Sequence, residues 1–169
     1  KDIKNMEIKH LIAHRGNITG PNPEKENNKG YILDALTNGF ECEIDVWFLN
    51  NKFFLGHDDP ENEIEITFLL ENFDKLWIHC KNLEAINELS NYQQLNYFWH
   101  EKDKFTLTSK NYIWTYPNQE SGKTLIGMEK GLPVFGDHKS LSLDYIPQLI
   151  DLLIHAKDQN VMNWDIKLF

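Results

Sequence analysis

No apolar run in this chain approaches the ~18 residues that a membrane-spanning helix needs. Lys1 to His10 is polar and lacks the apolar stretch of a secretory leader. Both absences lead to the expectation of a cytoplasmic protein without a transmembrane segment. Sulfur is scarce as well: the only cysteines are Cys42 and Cys80. Their separation excludes a CxxC metal or redox motif, and two thiols do not make a disulfide framework, so both read as reduced core residues. Positive charge is in short supply, with 17 Lys and Arg against 26 Asp and Glu and a net charge of −9. No Lys/Arg cluster offers the basic patch of a nucleic-acid binder. An anionic ligand would therefore need a metal ion or a few well-placed cations.

What is present fits one globular domain spanning residues 1–169, with 41% hydrophobic and 25% charged residues. No internal repeat or low-complexity tract interrupts it. Short apolar runs alternate with helix-compatible stretches. Leu11 to Ala13 reads as a buried strand. Tyr31, Ile32, Ala35 and Leu36 have helical spacing, with Gly39 as the stop. Strands follow at Phe40 to Phe48 and Phe53 to Leu55, separated by the turn-prone Asn50-Asn51. A helix is expected near Ile66 to Phe73, a strand at Leu76 to Cys80, and a helix through Leu83, Ile86 and Leu89. Further strands fall at Tyr97 to Trp99, Tyr112 to Trp114, Leu125 to Met128 and Val134-Phe135, before an amphipathic helix from Tyr145 to His155. This alternation predicts a parallel α/β architecture. Since such barrels usually run to ~250 residues, the expectation is a small, irregular (β/α)8 TIM-like barrel with shortened or missing helices. A doubly wound open sheet is the alternative.

Chemistry-bearing residues cluster at the C-terminal ends of the expected strands. His14-Arg15-Gly16 ends the first, Gly56-His57-Asp58 the third, and His79 and Lys81 lie on the fourth. On the second, Glu41, Glu43 and Asp45 share one face, while Cys42, Ile44 and Val46 share the other. Acids so close together on a buried face repel one another unless a cation joins them. Carboxylate ligands suit Mg²⁺, Ca²⁺ or Mn²⁺. Trp99-His100-Glu101 and Gly136-Asp137-His138 also fall at strand ends. Trp47, Trp77, Trp99, Trp114 and Tyr116 read mainly as core aromatics.

In order and approximate spacing, Ile12-Ala13-His14-Arg15-Gly16, Glu26-Asn27, Glu43-Ile44-Asp45-Val46 and Gly56-His57-Asp58 resemble the glycerophosphodiester phosphodiesterases. The likeness is specific across residues 12–58 and extends to Lys81. Related phosphatidylinositol-specific phospholipases C and spider-venom-type phospholipases D share the barrel and the paired histidines. The resemblance implies a phosphoric diester hydrolase of lipid-headgroup metabolism, with His14 and His57 as general acid and base. It implies one divalent metal ion on Glu43 and Asp45, with phosphate contacts from Arg15 and Lys81 and Glu26 near the site. Lys25 stands where the family has proline before that glutamate, and Pro23 lies two residues earlier. The family's Glu-x-Lys on the fourth strand reads His79-Cys80-Lys81 here, making His79 the third expected ligand.

The expected reaction is hydrolysis of a small glycerophosphodiester or polyol-phosphate diester. A neighbouring hydroxyl attacks the phosphorus, a cyclic phosphate forms, and water opens it. Two alternatives stay within phosphate chemistry: a metal-independent, phospholipase-C-like lyase and a non-catalytic phospho-polyol-binding barrel. A third is a structural metal-binding domain.

Overall fold

A computed structural model of the chain describes residues 10–115, together with the strand segments 124–126, 128–129, 132–133 and 140–143. The expected helix at Tyr145 to His155, the strand at Val134-Phe135 and the Gly136-Asp137-His138 segment lie outside the described residues, as does Tyr116.

The first half alternates strand and helix: β1 (His10–His14), α1 (Lys29–Thr37), β2 (Glu41–Leu49), β3 (Lys52–Leu55), β4 (Asn62–Ile64), α2 (Ile66–Glu71), β5 (Leu76–Cys80), α3 (Leu83–Leu89) and β6 (Tyr97–Trp99). Short strands follow: β7 (Phe105–Leu107), β8 (Ile113–Thr115), β9 (Thr124–Ile126), β10 (Met128–Glu129), β11 (Leu132–Pro133) and β12 (Ser140–Leu143). Asn28 caps α1 by accepting the Gly30 amide at 2.9 Å, and Asn82 caps α3 through the Ala85 amide at 3.2 Å. Asn82 also bonds both backbone groups of Phe48, which ties the end of β2 to the start of α3.

The expected (β/α)8 barrel is not what forms. Ten strands make one mixed sheet with the path β6-β5-β2-β1-β12-β9-β8-β7, and β3-β4 branches from the far end of β2. Among the described residues no strand ladder joins β7 to β6, so the sheet does not close, and only three short helices accompany it. The reason is local. A barrel needs a helical crossover after each strand. Here Asn50 and Asn51 take left-handed conformations (φ 50° and 61°) and return the chain at once as an antiparallel hairpin. Strands β4 and β7 pair antiparallel in the same way. Neither was expected from sequence, because neither carries a strong alternating apolar pattern.

The period of two along β2 does sort the sheet's faces. Cys42, Ile44 and Val46 join Ala13, Leu76, Ile78 and Cys80 in a core covered by Ile32, Ala35 and Leu36 of α1, Phe68 and Leu69 of α2, and Ala85 and Leu89 of α3. On the opposite face Ile12, Trp77 and Phe98 form a smaller aromatic cluster with Tyr112 and Trp114. Among the described residues no helix is long and apolar enough to cross a membrane.

Both cysteines are free and buried on the helix-covered face. Burial drives both thiols upward, Cys80 to about 12, and the nearby Glu43 and Asp45 charges add to the rise at Cys42. Iodoacetamide at pH 8 should therefore leave the native chain almost unlabelled and modify both cysteines once the chain is unfolded. Rapid native labelling at either position, read by mass spectrometry, would contradict this packing.

Candidate metal centre

Strand register assembles the site. Parallel pairing sets His14 beside Glu43 and Glu43 beside Trp77, and the next row sets Asp45 beside His79 and His79 beside Phe98. Glu43, Asp45 and His79 thus share a face, each offering one ligand atom within 4.8 Å of the others. His79 Nδ1 lies 3.0 Å from Asp45 Oδ1 and 3.7 Å from Glu43 Oε1. Donors separated by the shorter distance subtend roughly 90° at an ion ~2.1 Å from each.

Two further observations fit a cation. Glu43 Oε2 and Asp45 Oδ1 are buried and receive no hydrogen bond of ordinary geometry among the described residues. Buried acceptors left in that state are costly. His79 is also oriented as a ligand. Its Nε2 lies 2.7 Å from the His100 carbonyl oxygen, which can only accept, so Nε2 carries the proton. Nδ1 then faces the carboxylates, where it can present a lone pair to a metal or a second proton to Asp45. Phe98 stacks on the imidazole with ring centroids 5.3 Å apart and planes 7° from parallel. The donor set of two carboxylates and one imidazole suits a divalent ion.

The surrounding charges are paired. Arg15 places Nε 3.1 Å from Asp45 Oδ2 and Nη1 3.1 Å from Glu26 Oε2. Glu26 is held in turn by Asn17 Nδ2 at 2.9 Å and the Asn22 amide at 3.1 Å. Lys81 Nζ is 3.7 Å from Asp45 Oδ1, and His14 Nε2 is 3.7 Å from Glu43 Oε2. Electrostatics separate the two buried carboxyls. Burial alone would push both upward. At Asp45 the His79 contact, Arg15 and Lys81 outweigh burial and hold the group below the ordinary carboxylate range. At Glu43 burial and the Asp45 charge prevail over His14, His79 and Arg15, and the group is raised. Arg15 is raised despite its burial by Glu43, Asp45 and Glu26. Glu26, also partly desolvated, is lowered by Asn17 and Arg15.

Of the expected residues, Glu43, Asp45, His79, Arg15, Glu26, Lys81 and His14 converge. His57 stands apart. It follows Gly56, whose amide donates to the Asp45 carbonyl at 3.2 Å, so the turn reaches the rim of the site. Only glycine fits there, since φ is +155° and a Cβ would run into the Asp59 carbonyl. The His57 imidazole pairs with Asp58 at 2.8 Å, and no bond joins it to Glu43, Asp45 or His79 among the described residues. Glu41 does not join the other two acids. It pairs with His10 at 2.8 Å and accepts from the Trp77 indole at 3.2 Å, toward the opposite end of the strands. At the other strand end, Trp99 packs on the core, His100 contributes its carbonyl, and Glu101 is exposed.

Sequence reasoning assigned no role to Asn27. It is 1% exposed and bonds Asp45 twice. Its place beside Glu26 was the available signal.

Comparison of the chain with family models, curated proteins and solved structures finds no match.

Because the raised Glu43 is penalised when ionised, its cost to folding is absent below the ordinary carboxylate range and grows as pH rises through its folded value. Asp45 has the opposite sign, its contribution being lost as pH falls through its lowered folded value. In metal-free buffer at pH 7, Glu43→Gln should raise the melting temperature, and the gain should fade toward ~pH 4, where the unfolded carboxyl titrates. Mn²⁺ should raise the melting temperature of the wild type and much less that of Glu43→Gln. A destabilised Glu43→Gln chain at neutral pH would contradict the assignment.

Proposed function

We propose that this chain is a metal-dependent phosphodiesterase acting on small phosphodiesters of the glycerophosphodiester or polyol-phosphate type. The observation that carries the reading is the charge balance of one buried cluster. With all three carboxyls ionised, Glu26, Glu43 and Asp45 face Arg15 and Lys81, which leaves one net negative charge. A divalent ion on Glu43, Asp45 and His79 reverses that balance to one net positive charge, complementary to a phosphodiester monoanion. The resemblance across residues 12–58 supports the same reading.

When bound, the ion supplies Lewis-acid stabilisation of charge on the phosphoryl oxygens. The chain's own residues do the rest. Arg15 is hydrogen-bonded to Glu26 through Nη1 and ion-paired with Asp45 through Nε, and no bond engages Nη2 among the described residues, so that nitrogen remains to donate to a phosphate oxygen. Lys81 adds a second cation beside Asp45. His14 stands at the rim with its side chain 36% exposed, against the Glu43 carboxylate. It can exchange a proton with a substrate hydroxyl on one side while Glu43 stabilises its charged form on the other. His57, on the turn after β3, is the partner for the leaving alkoxide. Internal attack by a neighbouring hydroxyl gives a cyclic phosphate, which water then opens.

One contact favours a second reading. His79 Nδ1 is 3.0 Å from Asp45 Oδ1, so a doubly protonated imidazole can itself take the place of the ion. The chain would then be a metal-independent lyase that stops at the cyclic phosphate.

The decisive assay is turnover of a chromogenic aryl diester, glycerophosphocholine and glycerophosphoinositol, first in EDTA and then with Mg²⁺, Ca²⁺ or Mn²⁺. The expected result is metal-restored hydrolysis that falls ~10²–10⁴-fold in His14→Ala and in His57→Ala. EDTA-resistant release of a cyclic phosphate would favour the lyase. If none of the three esters turns over in a folded, metal-loaded chain, the enzymatic proposal fails.

A further inference from the structure

Two residues near the site, Arg15 and Asn27, adopt left-handed backbone conformations without being glycine, with φ of 54° and 57°. Such conformations cost energy and persist where surrounding contacts enforce them. These two enforce each other: the Asn27 amide donates to the Arg15 carbonyl at 3.2 Å. Both side chains then converge on one atom, Asp45 Oδ2. Asn27 Nδ2 donates to it at 2.8 Å, and Arg15 Nε stands 3.1 Å away. Asn27 closes a second bond by accepting the Asp45 amide on its own Oδ1 at 2.9 Å. The same short side chain thus reads both the backbone and the carboxylate of Asp45. It does so where Asp45 is 0% exposed and water cannot substitute.

The two oxygens of Asp45 are treated differently as a result. Oδ2 is held by Asn27 and faced by Arg15. Oδ1 is left pointing to His79 Nδ1 and Lys81, with no hydrogen-bond donor in good geometry. We infer that Asn27 is a positioning residue for the metal centre, fixing Asp45 so that it binds the ion through Oδ1 alone. A carboxylate free to rotate about its last bond would offer either oxygen or both, and would lose entropy on binding. One already clamped at Oδ2 offers a single preset donor beside the imidazole. Partners that orient ligands from behind in this way commonly change metal affinity ~10–100-fold when removed. The inference rests on the metal reading of the site and adds the residue that sets the ligand geometry.

The test uses the full chain with Mn²⁺ as probe. Asn27→Gly keeps the left-handed backbone accessible and removes both side-chain bonds. Free Mn²⁺ is titrated by electron paramagnetic resonance, and the visible spectrum of the Co²⁺-loaded chain reports ligand geometry. The expected outcome is Mn²⁺ affinity lowered ~10–100-fold together with an altered Co²⁺ spectrum, measured well below the variant's melting temperature. A purely structural role for Asn27 would lower the melting temperature yet leave the affinity and spectrum of the folded chain unchanged, and that result overturns the inference. Failure of the wild-type chain to bind Mn²⁺ or Co²⁺ at all would instead overturn the metal reading on which it stands.

Discussion

Everything around the site follows from ionisable carboxyls lying on a sheet face sealed from water. Asp45 is fully buried and Glu43 nearly so, a placement a carboxylate tolerates only with compensating charge and hydrogen bonds. The sequence supplies that compensation through four residues on three separate segments. Arg15 comes from the turn after β1, Asn27 from the loop before α1, His79 from β5, and Lys81 from the residue following that strand. None is near Asp45 in sequence. Parallel pairing of β1, β2 and β5 brings them within reach, so the electrostatics of the site and the topology of the sheet depend on each other.

Compensation is uneven, and the unevenness has chemical content. Asp45 is over-provided with positive partners and stays ionised. Glu43 has weaker contacts, at 3.7 Å to both His14 and His79, and its proton affinity rises. Two carboxyls one residue apart on the same strand face are thereby driven in opposite directions, the separation that distinguishes a fixed charge from a group able to exchange a proton or gain a cation. Glu41, on the same face, does not join them, because His10 and Trp77 hold it at the other end of the strand.

Much of the site was legible in the sequence because its logic is that of a strand. The alternation of Glu43 and Asp45 with Cys42, Ile44 and Val46 fixes which face each residue takes, and His79 alternates with Cys80 in the same way. Those faces are as expected. The openness of the sheet was not legible, because strand count does not determine closure. Closure depends on what joins the strands, and Asn50-Asn51 makes a hairpin where a crossover would be required. Strands β4 and β7 escaped notice because they lack the unbroken apolar run that marks the equally short β6. Asn27 stood in the Glu26-Asn27 motif without a role, because a loop asparagine shows no partner until its bonds to Asp45 are seen. The pairing of His57 with Asp58 was equally hidden, since it depends on how the turn after Gly56 is directed.

The alternation along β2 has a bearing on how the chain finds its fold. A strand displaced by one position against its neighbours exchanges its two faces completely. For β2, that would drive Glu41, Glu43 and Asp45 into the layer beneath the helices and turn Cys42, Ile44 and Val46 toward Arg15 and Lys81. The acids that serve chemistry in the native register would become unpaired charges in an apolar layer in any slipped one. The same acids therefore disfavour any slipped alignment of the sheet, whether or not a ligand is bound.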